Sequence, residues 1–395
     1  MENHNSKTGW LEELLRLHNK IKTTPSKKDL DDLLKDFIQA FPTGCLCPPN
    51  IIQLQVTFDA LLLWSTSAPI PSDLKIQLQD AIQDVKTKLE AASFSCLTCE
   101  KETGQFAYVV NSGSDTVSVI DISSNTVVAT VPVEVAPHGI AVTPDETFVY
   151  VANTSSNTVS VIDTSSNTVV ATVPVEITPL DVVATPDGKF AYVTNAGSAT
   201  VSVIDTSSNT VTATVPVGSA PHGIAFTPDG KFAYVTNFGS ANMSIIDIPS
   251  NTVTNTVSVG VGPFNVAITP DGKFAYVTNL VSSNVSVIDI SSGTVMATIL
   301  VGAGPINVAI TPDGKFAYVT NNFTNNVSVI DTSSNTVTAT IAVGSLPTSI
   351  AITPDGKFAY IANLSSATVS VIDISSNTVM ATVPVGNGPF DVAIQ

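Results

Sequence analysis

The sequence predicts a mainly β protein: a seven-bladed β-propeller of four-stranded antiparallel blades, closed by the C-terminal strand and preceded by a small α-helical bundle. Three observations carry that expectation. Tyr108, Tyr150, Tyr192, Tyr234, Tyr276, Tyr318 and Tyr360 recur every 42 residues and are all the tyrosines of the 395-residue chain. Each repeat holds four short runs of period two, rich in Val, Ile and Thr and bounded by turn residues. The array also starts and stops out of phase, opening at Gly104-Gln105-Phe106 in the second run and ending at Gly388–Gln395 in a first run with nothing after it. One blade therefore joins three strands from the start of the array to one from its end, and the ring closes without an unpaired edge.

Residues 1–103 lie before the repeats and read as helices. Trp10, Leu11, Leu14, Leu15, Leu17 and Ile21 follow helical spacing, as do Leu30, Leu33, Leu34, Phe37, Ile38 and Phe41. Ser26 offers an N-cap to the second helix, and Pro42-Thr43-Gly44 stops it. A third run covers 49–65 and a fourth 72–92, with Pro48-Pro49 and Pro69-Ile70-Pro71 as punctuation. Four amphipathic helices with short connections predict an up-down bundle ending near residue 103. All four cysteines fall here: Cys45 and Cys47 after the second helix, Cys96 and Cys99 after the fourth. Those two ends share a pole of such a bundle, so a zinc site of four thiolates, disulfides within or between chains, and ordinary reduced thiols all stand open. Haem attachment is excluded, because Glu100 and not His follows Cys99.

Within the repeat, the runs are named a to d: PHGIAFT (221–227), FAYVTN (232–237), MSIIDI (243–248) and TVTNTVSV (252–259). Thr-Pro-Asp-Gly-Lys joins a to b, and Asp-x-x-Ser-Asn-Thr joins c to d; both have the chemistry of tight turns. Pro132, Pro174, Pro216 and Pro384 share one position in strand d. Proline is tolerated only at a sheet edge, so d is the outer strand and a lines the channel. The acids that end strand c (Asp121 and its equivalents) and those in the a–b turn (Asp145 and its equivalents) are expected to cap nearby backbone amides, not to bind calcium.

The phrases Phe-Ala-Tyr-Val-Thr-Asn, Val-Ser-Val-Ile-Asp and Thr-Pro-Asp-Gly-Lys, over residues 104–395, resemble the YVTN-family β-propeller repeat of microbial surface-layer and cell-envelope proteins. The resemblance implies the propeller fold and a place at a cell or spore surface. It implies little about activity, because propellers host adhesins, scaffolds, lactonases and lyases alike. The start of the chain, MENHNSKTGW, lacks the basic and then apolar regions of a secretory signal, which gives the cytoplasm as the alternative.

Charge narrows the partners. Residues 1–103 hold 11 Lys or Arg against 14 Asp or Glu, whereas the repeats hold 5 against 19. So acidic a surface repels nucleic acid and anionic lipid, and leaves cations, basic proteins and neutral glycans open. No run reaches the length of apolar residues that a membrane span requires.

The two faces of the disc differ. The a–b and c–d turns barely change between repeats, but the b–c and d–a loops change in every one. On that variable face strand a opens with His138, Asp181, His222, Phe264-Asn265, Asn307 and Phe390-Asp391, and the b–c loops add Phe238 and Phe323. These residues are the candidate ligand-binding face. His138 and His222, two blades apart, with Asp181 between them and Asp391 on the blade before, could converge on a divalent cation that polarises a carbonyl. No nucleophile or base motif accompanies them. The expectation is thus a non-enzymatic binding or surface-structural protein, a platform for a protein or glycan ligand, anchored or assembled into homo-oligomers through its helical N-terminal domain. The alternative is a metal-dependent lactonase or lyase acting on a small molecule at the channel mouth.

Overall fold

The computed structural model describes residues 105–395, within a compact unit that spans Gly104–Gln395. The helical bundle expected over residues 1–103, with Cys45, Cys47, Cys96 and Cys99, lies outside the described residues. The described chain forms seven four-stranded antiparallel sheets. Blade 1 combines strand a from the C-terminus (Pro389–Ile394) with b (Phe106–Asn111), c (Thr116–Asp121) and d (Thr126–Pro132). Blades 2 to 7 open with strands a at Pro137–Val142, Pro179–Ala184, Pro221–Phe226, Pro263–Ile268, Pro305–Ile310 and Pro347–Ile352. The closure is as expected: Tyr108 stands opposite Ala393 and Ala107 opposite Ile394.

Burial follows from the period-two pattern on sheets covered on both sides. In strand b of blade 3, Ala191, Tyr192 and Val193 are all fully buried, although successive side chains point to opposite faces. The core accordingly lies between blades. Tyr150, Val159 and Val161 of blade 2 pack against Val182, Val193 and Ile204 of blade 3, and the same layer recurs around the ring. Strand d is the exposed outer edge, where Val128 and Val170 remain 53% and 54% accessible.

The repeated acids are turn residues, as read. In the a–b turn the Asp187 carboxylate accepts from the Thr185 hydroxyl at 2.7 Å and the Lys189 amide at 3.2 Å. At the end of strand c the Asp205 carboxylate accepts from the amides of Ser207 and Ser208 at 2.9 and 3.0 Å. Blades are also clasped through a tyrosine. The Tyr150 hydroxyl donates to Asn209 of the next blade at 2.7 Å, and Tyr192, Tyr276, Tyr318 and Tyr360 do the same to Asn251, Asn335, Asn377 and Asn125. Burial pushes the Tyr192 hydroxyl up to about 12, so it remains a donor.

Candidate functional site

Strand a reaches the channel mouth irregularly, and that irregularity builds the site. In blade 2, Pro137 pairs with Asn153 and the ladder resumes only at Ile140, so His138-Gly139 bulges out toward the axis. Blade 4 repeats this at His222-Gly223. Both glycines are required by space: a Cβ on Gly139 would lie 2.5 Å from the Leu180 carbonyl, and one on Gly223 2.7 Å from the Asn265 Cα.

The first ring of side chains at the mouth is an aromatic stack. His138 lies on Phe390 with centroids 3.7 Å apart, His222 lies on Phe264 at 3.6 Å, and the two imidazoles meet edge-on at 5.5 Å. Phe264 also meets Phe238 edge-on at 6.4 Å, which carries the stack outward to a b–c loop. His138 Nδ1 is bonded to the Leu180 carbonyl at 2.9 Å. Burial lowers the His138 imidazole to about 4, and burial followed by the neighbouring His138 lowers His222 well below the ordinary value, so both are neutral.

The second ring holds the acids. The Asp391 carboxylate accepts from the Ile140 amide of the next blade at 3.0 Å, from the Val392 amide at 2.9 Å and from the Ser349 hydroxyl. Asn307 extends this chain by donating to Ser349 at 3.3 Å. Asp181 in turn accepts from the Ile224 and Val182 amides at 3.1 and 2.8 Å. Burial raises Asp391 to about 6; burial and then the nearby Asp391 charge raise Asp181 well above the usual carboxylate range.

Threonine hydroxyls of strand b staple this ring. Thr236 takes the Gly223 amide at 2.9 Å and donates to the Phe264 carbonyl of the next blade at 2.8 Å; Thr194, Thr278 and Thr320 are its counterparts in blades 3, 5 and 6. Blades 1, 2 and 7 have Val110, Ala152 and Ala362 there instead. On that side of the ring Asp391, Ser349 and Thr348 make the bonds between blades, Thr348 donating to the Pro389 carbonyl at 3.3 Å.

The sequence-predicted residues thus divide. His138, His222, Phe264 and Phe390 meet in the first ring, and Asp181, Asn265, Asn307 and Asp391 line the second. Phe238 joins through Phe264, whereas Phe323 stands apart on the outer loops, 63% exposed. The convergence of His138, His222, Asp181 and Asp391 on one cation, which the enzyme alternative calls for, does not form. Among the described residues no three His, Cys, Asp or Glu side chains are placed to hold a metal ion. The physical reason is local: the imidazoles pack, tilted, against phenylalanines, and the carboxylates face backbone amides. Sequence reasoning missed the staple threonines and Ser349, whose only signal is the loss of Thr from strand b in blades 1, 2 and 7.

The rings leave a cavity of about 20 Å³ at the mouth. Fold and site together define a closed seven-bladed propeller whose mouth is lined by stacked aromatic and buried polar side chains. Residues 88–394 match the YNCE-like beta-propeller family, and the chain belongs to that family. No curated protein matches the sequence significantly. Among solved structures it is similar to Kuenenia stuttgartiensis hydrazine synthase, at 27% identity and TM-score 0.62 over 67% of this chain and 91% of that one. It is also similar to a functionally unknown protein of Desulfotomaculum acetoxidans, at 20% identity and TM-score 0.66 over 73% and 98% of the two chains. A candidate 6-phosphogluconolactonase of Bacteroides uniformis matches at 20% identity and TM-score 0.64 over 74% and 100%. The last two likenesses concern the fold alone. Among the described residues no helix is long and apolar enough to cross a membrane.

Proposed function

We propose that the protein is a non-enzymatic binding platform that takes a protein or glycan ligand on the face bearing the b–c and d–a loops. The observation that carries this reading is the narrowness of the mouth. Its cavity of about 20 Å³ admits about one water, whereas small-molecule sites enclose roughly 300–1,000 Å³. His138, Asp181 and Asp391 bond to backbone and neighbouring side chains and so hold the ring together. Around them the loops are fixed by main-chain bonds, such as Thr154 N–H to Ala136 O at 3.0 Å, while their side chains differ from blade to blade. Variable side chains on rigid loops are the usual makings of a binding face. Placement at a cell or spore surface, as the YVTN resemblance implies, and assembly through residues 1–103 complete the reading.

The rival is a metal-dependent lactonase or lyase, for which the mouth would have to regroup its buried carboxylates and histidines around an added metal. Full-length protein assayed on glycan and peptide arrays, and in parallel for lactone hydrolysis with and without added divalent metal, separates the two. The expected result is saturable, metal-independent binding that Phe323→Ser weakens and Lys315→Ala, on the opposite face, does not, with no turnover. Turnover abolished by His138→Ala would establish the rival.

A further inference from the structure

We infer that the ligand of the variable face is a protein segment in which cationic side chains stand beside aliphatic or aromatic ones; this rests on the binding-platform reading. The first argument is the segregation of charge. All five lysines of the described chain sit in a–b turns on the opposite face, each paired with its own turn aspartate at 2.8–3.1 Å. The variable face carries Asp115, Glu134 and Glu176 around the acids of the mouth, and no lysine or arginine. Every one of these acids lies on blades 1 to 3 or on the loops entering blades 2 and 3.

Glu134 and Glu176 depart from the repeat at a particular point. The other five blades have Gly218, Gly260, Gly302, Gly344 and Gly386 there, and a Cβ on Gly218 would come within 2.5 Å of the Asn237 side chain. The exposed acids therefore occupy a position where repeat packing favours glycine. Each is followed by an exposed aliphatic residue, Val135 at 52% and Ile177 at 57%. The result is two matching acid-and-aliphatic prongs on neighbouring loops.

Blades 4 to 6 supply an uncharged, apolar half. Val281 and Phe323, 59% and 63% exposed, stand where the other b–c loops have only glycine or serine. They come close to glycines: a Cβ on Gly262 would be 2.7 Å from Val281 and 3.1 Å from Phe238, and one on Gly304 would be 2.6 Å from the Phe323 ring. With Val261, 57% exposed, and the edge contact of Phe238 on Phe264, the apolar arc runs from the rim into the aromatic stack of the mouth. Exposed apolar groups that adjoin one another, as Val261, Val281 and Phe323 do on neighbouring loops, mark an interaction site. Charge complementarity then selects the occupant: acidic proteins and nucleic acids are repelled, and a neutral glycan leaves the acids without a role.

The test uses fluorescence anisotropy of full-length protein with three short synthetic peptides: Lys alternating with Leu or Phe, Glu in place of Lys, and Lys alternating with Ser. The Lys–Leu/Phe peptide is expected to bind. The double change Glu134→Gln, Glu176→Gln should weaken it by roughly 3- to 10-fold at low salt and flatten the salt dependence. Val281→Ser with Phe323→Ser should weaken it at every salt concentration, and Lys315→Ala should leave it unchanged. Equal binding of the Glu or Lys–Ser peptide would overturn the inference, as would self-association in sedimentation that Phe323→Ser abolishes. Capture of a neutral glycan that is lost with Phe323→Ser would overturn the basic partner and leave the binding platform standing. Lactone turnover would overturn both.

Discussion

Tyr192 and Tyr234 occupy one position in successive blades, yet only Tyr192 has an acceptor across the seam. Its partner is Asn251, whereas the residue that would serve Tyr234 is Gly293. A buried acceptor left unpaired costs about 1–3 kcal/mol. Tyr192→Phe should therefore destabilise by about that amount, and Tyr234→Phe by far less, in urea unfolding followed by tyrosine-independent circular dichroism. The mouth carries a pH signature at the same scale. Folded Asp391 keeps its proton up to about 6, while an unfolded aspartate releases it near 4. The folded state binds more protons in between, so the stability this group allows is present at low pH and is lost as pH rises through about 6. His138 acts in the opposite sense: its folded value is depressed to about 4, so its contribution is present above about 6.5 and is lost as pH falls. His222 follows His138, and Asp181 follows Asp391. Asp391→Asn keeps an acceptor for Ile140 and removes the carboxylate's titration. Its stability relative to the parent protein should rise between about pH 4 and 6 and level off above; a difference independent of pH would refute the assignment.

At the scale of the strand, the decisive devices are the bulge in strand a and the staple from strand b. Thr236 is fully buried and joins Gly223 of its own blade to Phe264 of the next. Thr236→Val preserves shape but strands the Gly223 amide, and a loss of about 1–3 kcal/mol is expected from chemical denaturation. Gly223→Ala should also destabilise, by roughly 1–3 kcal/mol, because its methyl meets backbone and not a yielding side chain. The strands were legible in the sequence: the runs expected at 221–227, 232–237, 243–248 and 252–259 form Pro221–Phe226, Phe232–Asn237, Asn242–Asp247 and Thr252–Ser258. The staple was not, because a threonine in a period-two run reads equally as an exposed strand residue, and its partner carbonyl lies 28 residues away in the next blade.

For the molecule as a whole, stability resides in seven layers between blades, including the one made by strands from opposite ends of the described chain. Val109 and Ile120 of blade 1 share that layer with Tyr360 and Val371 of blade 7, and Val392 of the closing strand completes it. Deleting residues 389–395 uncovers this layer and bares the edge of Phe106–Asn111. The truncated chain is expected to unfold less cooperatively and to associate, in thermal melts and size-exclusion chromatography; an unaltered monomeric melt would show that closure is dispensable. By itself the sequence determined the blade count, the strand order and the phase of closure, because a strict repeat of period-two runs admits one way of covering both faces of every sheet. It also brought His138, Asp181, His222, Phe264, Phe390 and Asp391 to the mouth, since strand a must line the axis. Only the tertiary structure decided what those residues do there. Whether His138 and Asp391 would meet on a cation or pack on Phe390 and the Ile140 amide depends on distances of a few ångströms between blades. Those distances follow from the bulges and glycines at the axis, which no periodicity encodes.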